Sequence, residues 1–296
     1  MMISSEYYLA LFDVLGFKRK FNNLGLPKIA AIYELLIEAV NKHNEHIDRV
    51  FGILGFSESA YWAAGGEIVI FNKVYGAYSS DTILVWSHSL WPEARDKTAD
   101  QRNKLAEDPA RGWIYKTIPC DVFLNTCNEL ICHSIEVELP LRGSLSMGTA
   151  ILDETKRVFL GAPLIESHEL ERGQEFIGAS FCPSITKQTI PARFKLPFTK
   201  HLKKGYEDKF GGFVLDWPRH WRNTRGSDAK SKIRNLSKDA QAYSTYYDNT
   251  TQLLDLSDQY KNKYETPEEV SIRTVYEAFS SPNLVATVKA VRAVRG

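Results

Sequence analysis

The sequence predicts an α+β fold, and three observations carry that reading. A largely apolar run of strand length near the start gives way to a helical pattern. A glycine-preceded hairpin with a carboxylate near its tip comes next. A second helix, a strand of alternating small and apolar residues and a third helix complete the unit.

Tyr7 to Val14 is the first strand. Gly16 and the basic residues Lys18, Arg19 and Lys20 follow it, before an amphipathic helix around Pro27 to His46 with Ile29, Ile32, Leu35, Leu36 and Val40 at helical spacing. Gly65 and Gly66 precede an alternating, β-branched stretch from Glu67 to Tyr78, and Asp81 sits in a short polar turn before Thr82 to Trp86. Residues 96–111 are densely charged and read as a solvated helix or loop. Pro119 opens the second helix, through Val122, Phe123, Thr126, Leu130 and Ser134, and Pro140 closes its trailing segment. Leu141 to Ala150 is a strand, Val158 to Leu160 a shorter one, and after a Gly161-Ala162-Pro163 break a helix runs from Leu164 to Glu171.

Strand, helix, hairpin, helix, strand, helix approximates the βαββαβ plan of ferredoxin-like domains. After Cys182 the composition shifts: residues 195–209 are basic, Phe213 to Trp217 resembles one more strand, and Ser227 to Ser280 is polar, Tyr-rich and mostly helical in pattern. The expectation is a principal domain over residues 1–210 and an accessory strand and helical C-terminal region over 211–296.

The chain of 296 residues, 44% hydrophobic, can fill a real core. With 37 Lys plus Arg against 36 Asp plus Glu the net charge is +1, which offers no global field for nucleic acid or a membrane surface. Neither is expected as a partner. The N-terminal apolar run has no basic leader, and no run approaches the ~20 apolar residues of a membrane span. Cys120, Cys127, Cys132 and Cys182 form no paired short-spacing metal motif, so buried free thiols in a reduced, cytoplasmic protein are expected.

Asp13 and Asp81 each set a lone carboxylate at the edge of an apolar run, where it is costly to desolvate unless solvated, hydrogen-bonded or bound to a cation. Two such strand ends suit a shared divalent metal. The plainer duties are a helix cap for Asp13 and a hairpin turn for Asp81. Gly16 lets backbone approach a phosphate at a helix N-terminus, or simply starts the helix.

Four segments, in this order, resemble the class III nucleotidyl cyclase catalytic domain. Phe12-Asp13-Val14-Leu15-Gly16-Phe17 is similar to that family's first metal segment, and Ser80-Asp81 stands where a Gly-Asp pair carries its second metal aspartate. Leu141-Arg142-Gly143-Ser144-Leu145-Ser146-Met147-Gly148 resembles its strand ending in glycine, and Gly161 through Glu171 its interface-crossing turn and helix. Arg142-Gly143 and Leu170-Glu171 look closest to the stand-alone bacterial cyclases of the Pycsar antiphage system, which make cyclic pyrimidine nucleotides.

The resemblance covers about the first two thirds of the chain and implies a phosphorus–oxygen lyase that cyclises UTP or CTP to the 3′,5′-cyclic monophosphate, a second messenger acting on a separate effector. It implies two Mn²⁺ or Mg²⁺ ions held by Asp13, Asp81, the carbonyl of Val14 and substrate phosphates. It further implies a homodimer with sites at the interface, and nucleotide contacts from Gly16, Phe17, Arg142, Tyr75 and Val158. Tyr75 and Val158 fall at the base-reading positions, where an aromatic and an aliphatic residue favour a pyrimidine. The family's transition-state Asn and Arg would fall at Ile165 and Glu169, so another base must supply that charge: Lys18, Arg19, Lys20, Arg142 or a lysine among Lys195, Lys200, Lys203 and Lys204. A purine cyclase and a non-catalytic cyclase-like nucleotide-binding protein are the alternatives.

Overall fold

A computed structural model describes residues 4–260 apart from 55–58, 65–66, 110 and 239. In chain order the elements are β1 (Ser5–Val14), α1 (Phe17–Leu54), β2 (Ser59–Ala64), β3 (Glu67–Asn72), β4 (Tyr75–Ser79), β5 (Thr82–His88), α2 (Ala99–Leu105) and α3 (Asp121–Glu136). Then come β6 (Leu141–Asp153), β7 (Val158–Gly161), α4 (Ala162–Arg172), β8 (Gly178–Phe181), α5 (Pro183–Thr186), β9 (Lys195–Leu196) and β10 (Val214–Leu215). The helices α6 (Trp217–Thr224), α7 (Ala229–Ser237) and α8 (Ser244–Tyr260) end the described chain.

One sheet organises the protein, in the order β4-β5-β1-β6-β8-β10-β9, with β7 folded back on β6. β1 is central and antiparallel to both β5 and β6, and β4 pairs antiparallel with β5. With α1 between β1 and the hairpin, and α3 between the hairpin and β6, this is the βαββαβ plan: the chain is an α+β protein with a ferredoxin-like core.

Alternation along β1 explains the layers. Tyr8, Ala10, Phe12 and Val14 point to one face, where Ile29, Tyr33, Leu36 and Val40 of α1 and Phe123, Leu124, Cys127, Leu130 and Ile131 of α3 form the main core. Tyr7 and Leu9 point to the other, against Leu84, Trp86 and Ala150. On that second face α4 docks through hydroxyls: Ser144 donates to the Ser167 carbonyl at 2.6 Å and Ser146 to that of Pro163 at 2.8 Å. The small residues alternating through β6 are thus the seat of a helix.

Four expectations need correction. The stretch from Glu67 to Tyr78 is two strands, because β3 pairs with β2 in a separate ribbon while β4 pairs with β5. Side chains replace the ladder at the break: the Val74 amide donates to Asn44 Oδ1 at 2.9 Å, and Ser87 donates to the Lys73 carbonyl at 2.7 Å. The first helix starts at Phe17, ten residues before Pro27, and kinks at Gly25, whose φ of 75° is non-helical. Its apolar stripe uses Tyr33, and Leu35 is exposed.

The strand expected at Phe213 to Trp217 is short: β10 covers Val214–Leu215, and Trp217 begins α6. β10 bonds to both β8 and β9, so the C-terminal part adds to the same sheet. Trp217, Trp221, Ile233, Tyr247, Leu253 and Leu254 join the main core. The helical pattern expected from 227 onward is α7 and α8 as far as Tyr260; residues 261–280 lie outside the described part. All four cysteines are free and buried, and no described helix is long and apolar enough to cross a membrane.

Candidate metal centre

Asp13 is the penultimate residue of β1, level with Thr82 on β5 and Arg142 on β6. Asp81 is the second residue of the two-residue turn that closes the β4–β5 hairpin, since Ser79 and Thr82 are opposite each other. Ser80 takes a left-handed conformation, φ 57°, as such a tight turn requires. The Val14 amide donates to the Asp81 carbonyl at 2.9 Å. One backbone hydrogen bond therefore joins the two segments.

Arg142 closes on Asp13 and is itself held by two further groups. Arg142 donates through Nε to Asp13 Oδ2 at 3.1 Å, and its Nη2 lies 3.0 Å from the same oxygen. The same guanidinium lies 2.6 Å from Glu171 on α4, a close ion pair in which the Nε–H itself is aimed at Asp13. Its Nη1 donates to the Tyr246 hydroxyl at 2.9 Å, with the guanidinium 5.6 Å from the centre of that ring. Tyr246 belongs to α8, so the C-terminal region reaches the site.

Burial raises the Asp13 carboxyl above its ordinary value; Arg142 opposes this and the charge of Asp81 adds to it. Burial pushes Glu171 up to about 7, again against Arg142 and with the charge of Asp13 adding. Two carboxyl groups on one guanidinium, with the charge of Asp81 also felt by Asp13, make the end of β1 an acidic corner.

The donor chemistry fits a hard divalent cation: two carboxylates carried to adjacent strand ends and backbone oxygen beside them. Tyr33 adds a second sign, because its hydroxyl is buried without a hydrogen-bond partner among the described residues. No cluster of three or more His, Cys, Asp or Glu placed to hold a metal occurs among the described residues. A site here would complete its shell with water and a phosphate-bearing ligand.

The other sequence-derived residues fall as follows. Gly16 has φ 71°, and a Cβ there would lie 3.3 Å from the Tyr243 ring. Phe17 starts α1 and packs its ring on Phe21 and Tyr33. Tyr75 is on the same sheet face as Asp13 but four residues along the ladder, about 13 Å at strand rise. It stacks on Trp86, with ring centres 5.8 Å apart, and Trp86 meets Phe159 edge-on. Val158 precedes Phe159 and projects from the opposite face of the β6–β7 ribbon, so Tyr75 and Val158 diverge within one chain.

Arg142 pairs with α4 through Glu171 and not through Glu169. Residues two apart on a helix point about 200° away from each other. Glu169 is on the outer face, 3.0 Å from Lys209, together with Ile165. Lys203 donates to the Arg172 carbonyl and Lys200 to Gln252. Tyr246 and Tyr33 are neighbours of the site that the sequence does not single out. Only Tyr33 leaves a signal there: a tyrosine on the apolar stripe of α1 needs somewhere to put its hydroxyl.

No protein-family model and no curated protein matches the sequence. A solved structure described as a bacterial light-regulated adenylyl cyclase overlaps 79% of this chain and 98% of its own, with a TM-score of 0.35 and 12% identity.

Proposed function

We propose that this chain is a metal-dependent nucleotidyl cyclase that converts UTP, or CTP, to the 3′,5′-cyclic monophosphate and pyrophosphate. The observation that carries the reading is the backbone Val14–Asp81 hydrogen bond, which joins the Asp81 turn to the end of β1 beside Asp13 in a ferredoxin-like core and supports a shared role for the two residues. In this reading Asp13 and Asp81 hold two Mn²⁺ or Mg²⁺ ions, which when bound would supply charge neutralisation and hydroxyl activation. Arg142 fixes the Asp13 carboxylate through Oδ2 and adds positive charge beside it. Gly16 and Phe17, at the entry to α1, present backbone amides toward phosphate. The substrate's 3′-hydroxyl oxygen bonds to the α-phosphorus, its proton passing to solvent, as the bond to pyrophosphate breaks.

The pyrimidine preference rests on Tyr75 and Val158. The separation of Tyr75 from Asp13 along the ladder within one chain supports a head-to-tail homodimer, in which one subunit's metal ligands meet the other's Tyr75. Leu160 and Ile165, 59% and 65% exposed, are apolar surface suited to that contact. The cyclic product would act on a separate effector in antiphage defence.

Incubating the purified protein with each of the four nucleoside triphosphates and Mn²⁺, with product identified by mass spectrometry, tests the reading. Cyclic UMP or CMP is expected, and Asp13→Ala and Asp81→Ala are each expected to cut its formation at least a hundredfold. Product from ATP or GTP alone would establish a purine cyclase. Ile165 and Glu169 favour a second reading, nucleotide binding without turnover; retained affinity with no product from any nucleotide would establish it.

A further inference from the structure

Tyr33 is 1% exposed on the sheet-facing side of α1. Its ring sits between Phe17, with centres 6.2 Å apart and planes at 80°, and Tyr78, 5.1 Å away. Phe17 is four residues after Asp13 and Tyr78 three before Asp81, so the ring wedges between the two segments that carry the carboxylates. The comparably buried Tyr8 donates to the Ile118 carbonyl at 2.6 Å, whereas the Tyr33 hydroxyl has no partner among the described residues. A hydroxyl left unpaired in a core costs stability that a phenylalanine of the same shape would not.

We infer that Tyr33 is a positioning residue of the metal centre: when Asp81 turns toward Asp13 to share a divalent cation, the Tyr33 hydroxyl donates to the Asp81 carboxylate and fixes which of its oxygens faces the ion. This rests on the reading of Asp13 and Asp81 as ligands. After burial, the charges of Asp81 and then Asp13 are the influences that hold the proton on this phenol, so the hydroxyl lies within electrostatic reach of both. A protonated phenol against a carboxylate is a charge-assisted bond, and partners that orient ligands in this way commonly set metal affinity by a factor of about 10 to 100.

The test compares wild type, Tyr33→Phe and Asp13→Ala as full-length proteins, by Mn²⁺ titration followed by electron paramagnetic resonance and by thermal unfolding with and without Mn²⁺. Tyr33→Phe is expected to melt no lower than wild type without metal, yet to bind Mn²⁺ about tenfold more weakly. A purely structural tyrosine would move the melting temperature and leave the affinity alone. Tyr33→Phe binding Mn²⁺ as wild type does, while Asp13→Ala loses it, would overturn the role of Tyr33 and leave the metal site standing. A lower melting temperature for metal-free Tyr33→Phe would show the hydroxyl already bonded in the resting protein, and would overturn that role as well. Wild type that binds no Mn²⁺ would remove both.

Discussion

Arg142 serves two carboxylates, and the more deeply buried of them sets a pH dependence. Glu171 is held near 7 in the folded chain against an ordinary 4.5, so between those values the folded state binds the proton that the unfolded state has released. Its contribution to stability is present below about pH 4.5, fades as pH rises and is gone above about 7; Asp13, also raised, acts in the same sense. Urea denaturation of the metal-free protein is expected to show lower stability at pH 8 than at pH 5.5, by on the order of 1 to 3 kcal/mol, with Glu171→Gln flattening the slope. An unchanged slope in that variant would exclude Glu171 as the source. The placement of Asp13 and Asp81 was legible because a carboxylate ending an apolar run is conspicuous in any sequence. The contacts of Arg142 with Glu171 and Tyr246 were not, because they span long stretches of chain and no local periodicity encodes them.

The β1–β6 ladder is the element that aligns the site, and Gly143 is what permits its packing. A Cβ at Gly143 would collide with the Phe12 ring and lie 2.6 Å from the Leu11 carbonyl. Gly143→Ala is therefore expected to cost about 1–3 kcal/mol, measured as a fall in the urea midpoint, and to disturb Arg142 one residue away. The same scale shows what pattern reading captures. β1, β5, β6, α3 and α4 were legible because period-2 and helical repeats record which side of an element is buried. The separation of β3 from β4 was hidden, because it depends on Asn44 and Ser87 bonding backbone groups of the other segment. The early start of α1 was obscured by Gly25 and Pro27, which mark a kink inside a longer helix.

In the whole molecule, the sheet does not stop where the composition changes. Trp217 is buried, donates to the Ile177 carbonyl at 3.0 Å and packs edge-on against Trp221. The Ile177 amide in turn donates to Thr250 on α8 at 2.8 Å. Trp217→Ala is expected to destabilise the entire fold by about 3–5 kcal/mol in a single cooperative transition, followed by tryptophan fluorescence and circular dichroism together. Two separated transitions would show instead that the C-terminal region unfolds independently. The shift to a polar, Tyr-rich composition after Cys182 concealed this continuity, because a few large aromatics among many charges can anchor a region whose average looks solvated. The bond that Arg142 donates to Tyr246 has one more consequence, for the order of events at birth. Asp13 leaves the ribosome early, and the helix that steadies the Arg142 guanidinium beside it follows more than two hundred residues later, at about 5–20 residues per second. The acidic end of β1 therefore waits tens of seconds with its clasp unfastened, and a nascent chain long enough to fold its sheet still lacks the finished site.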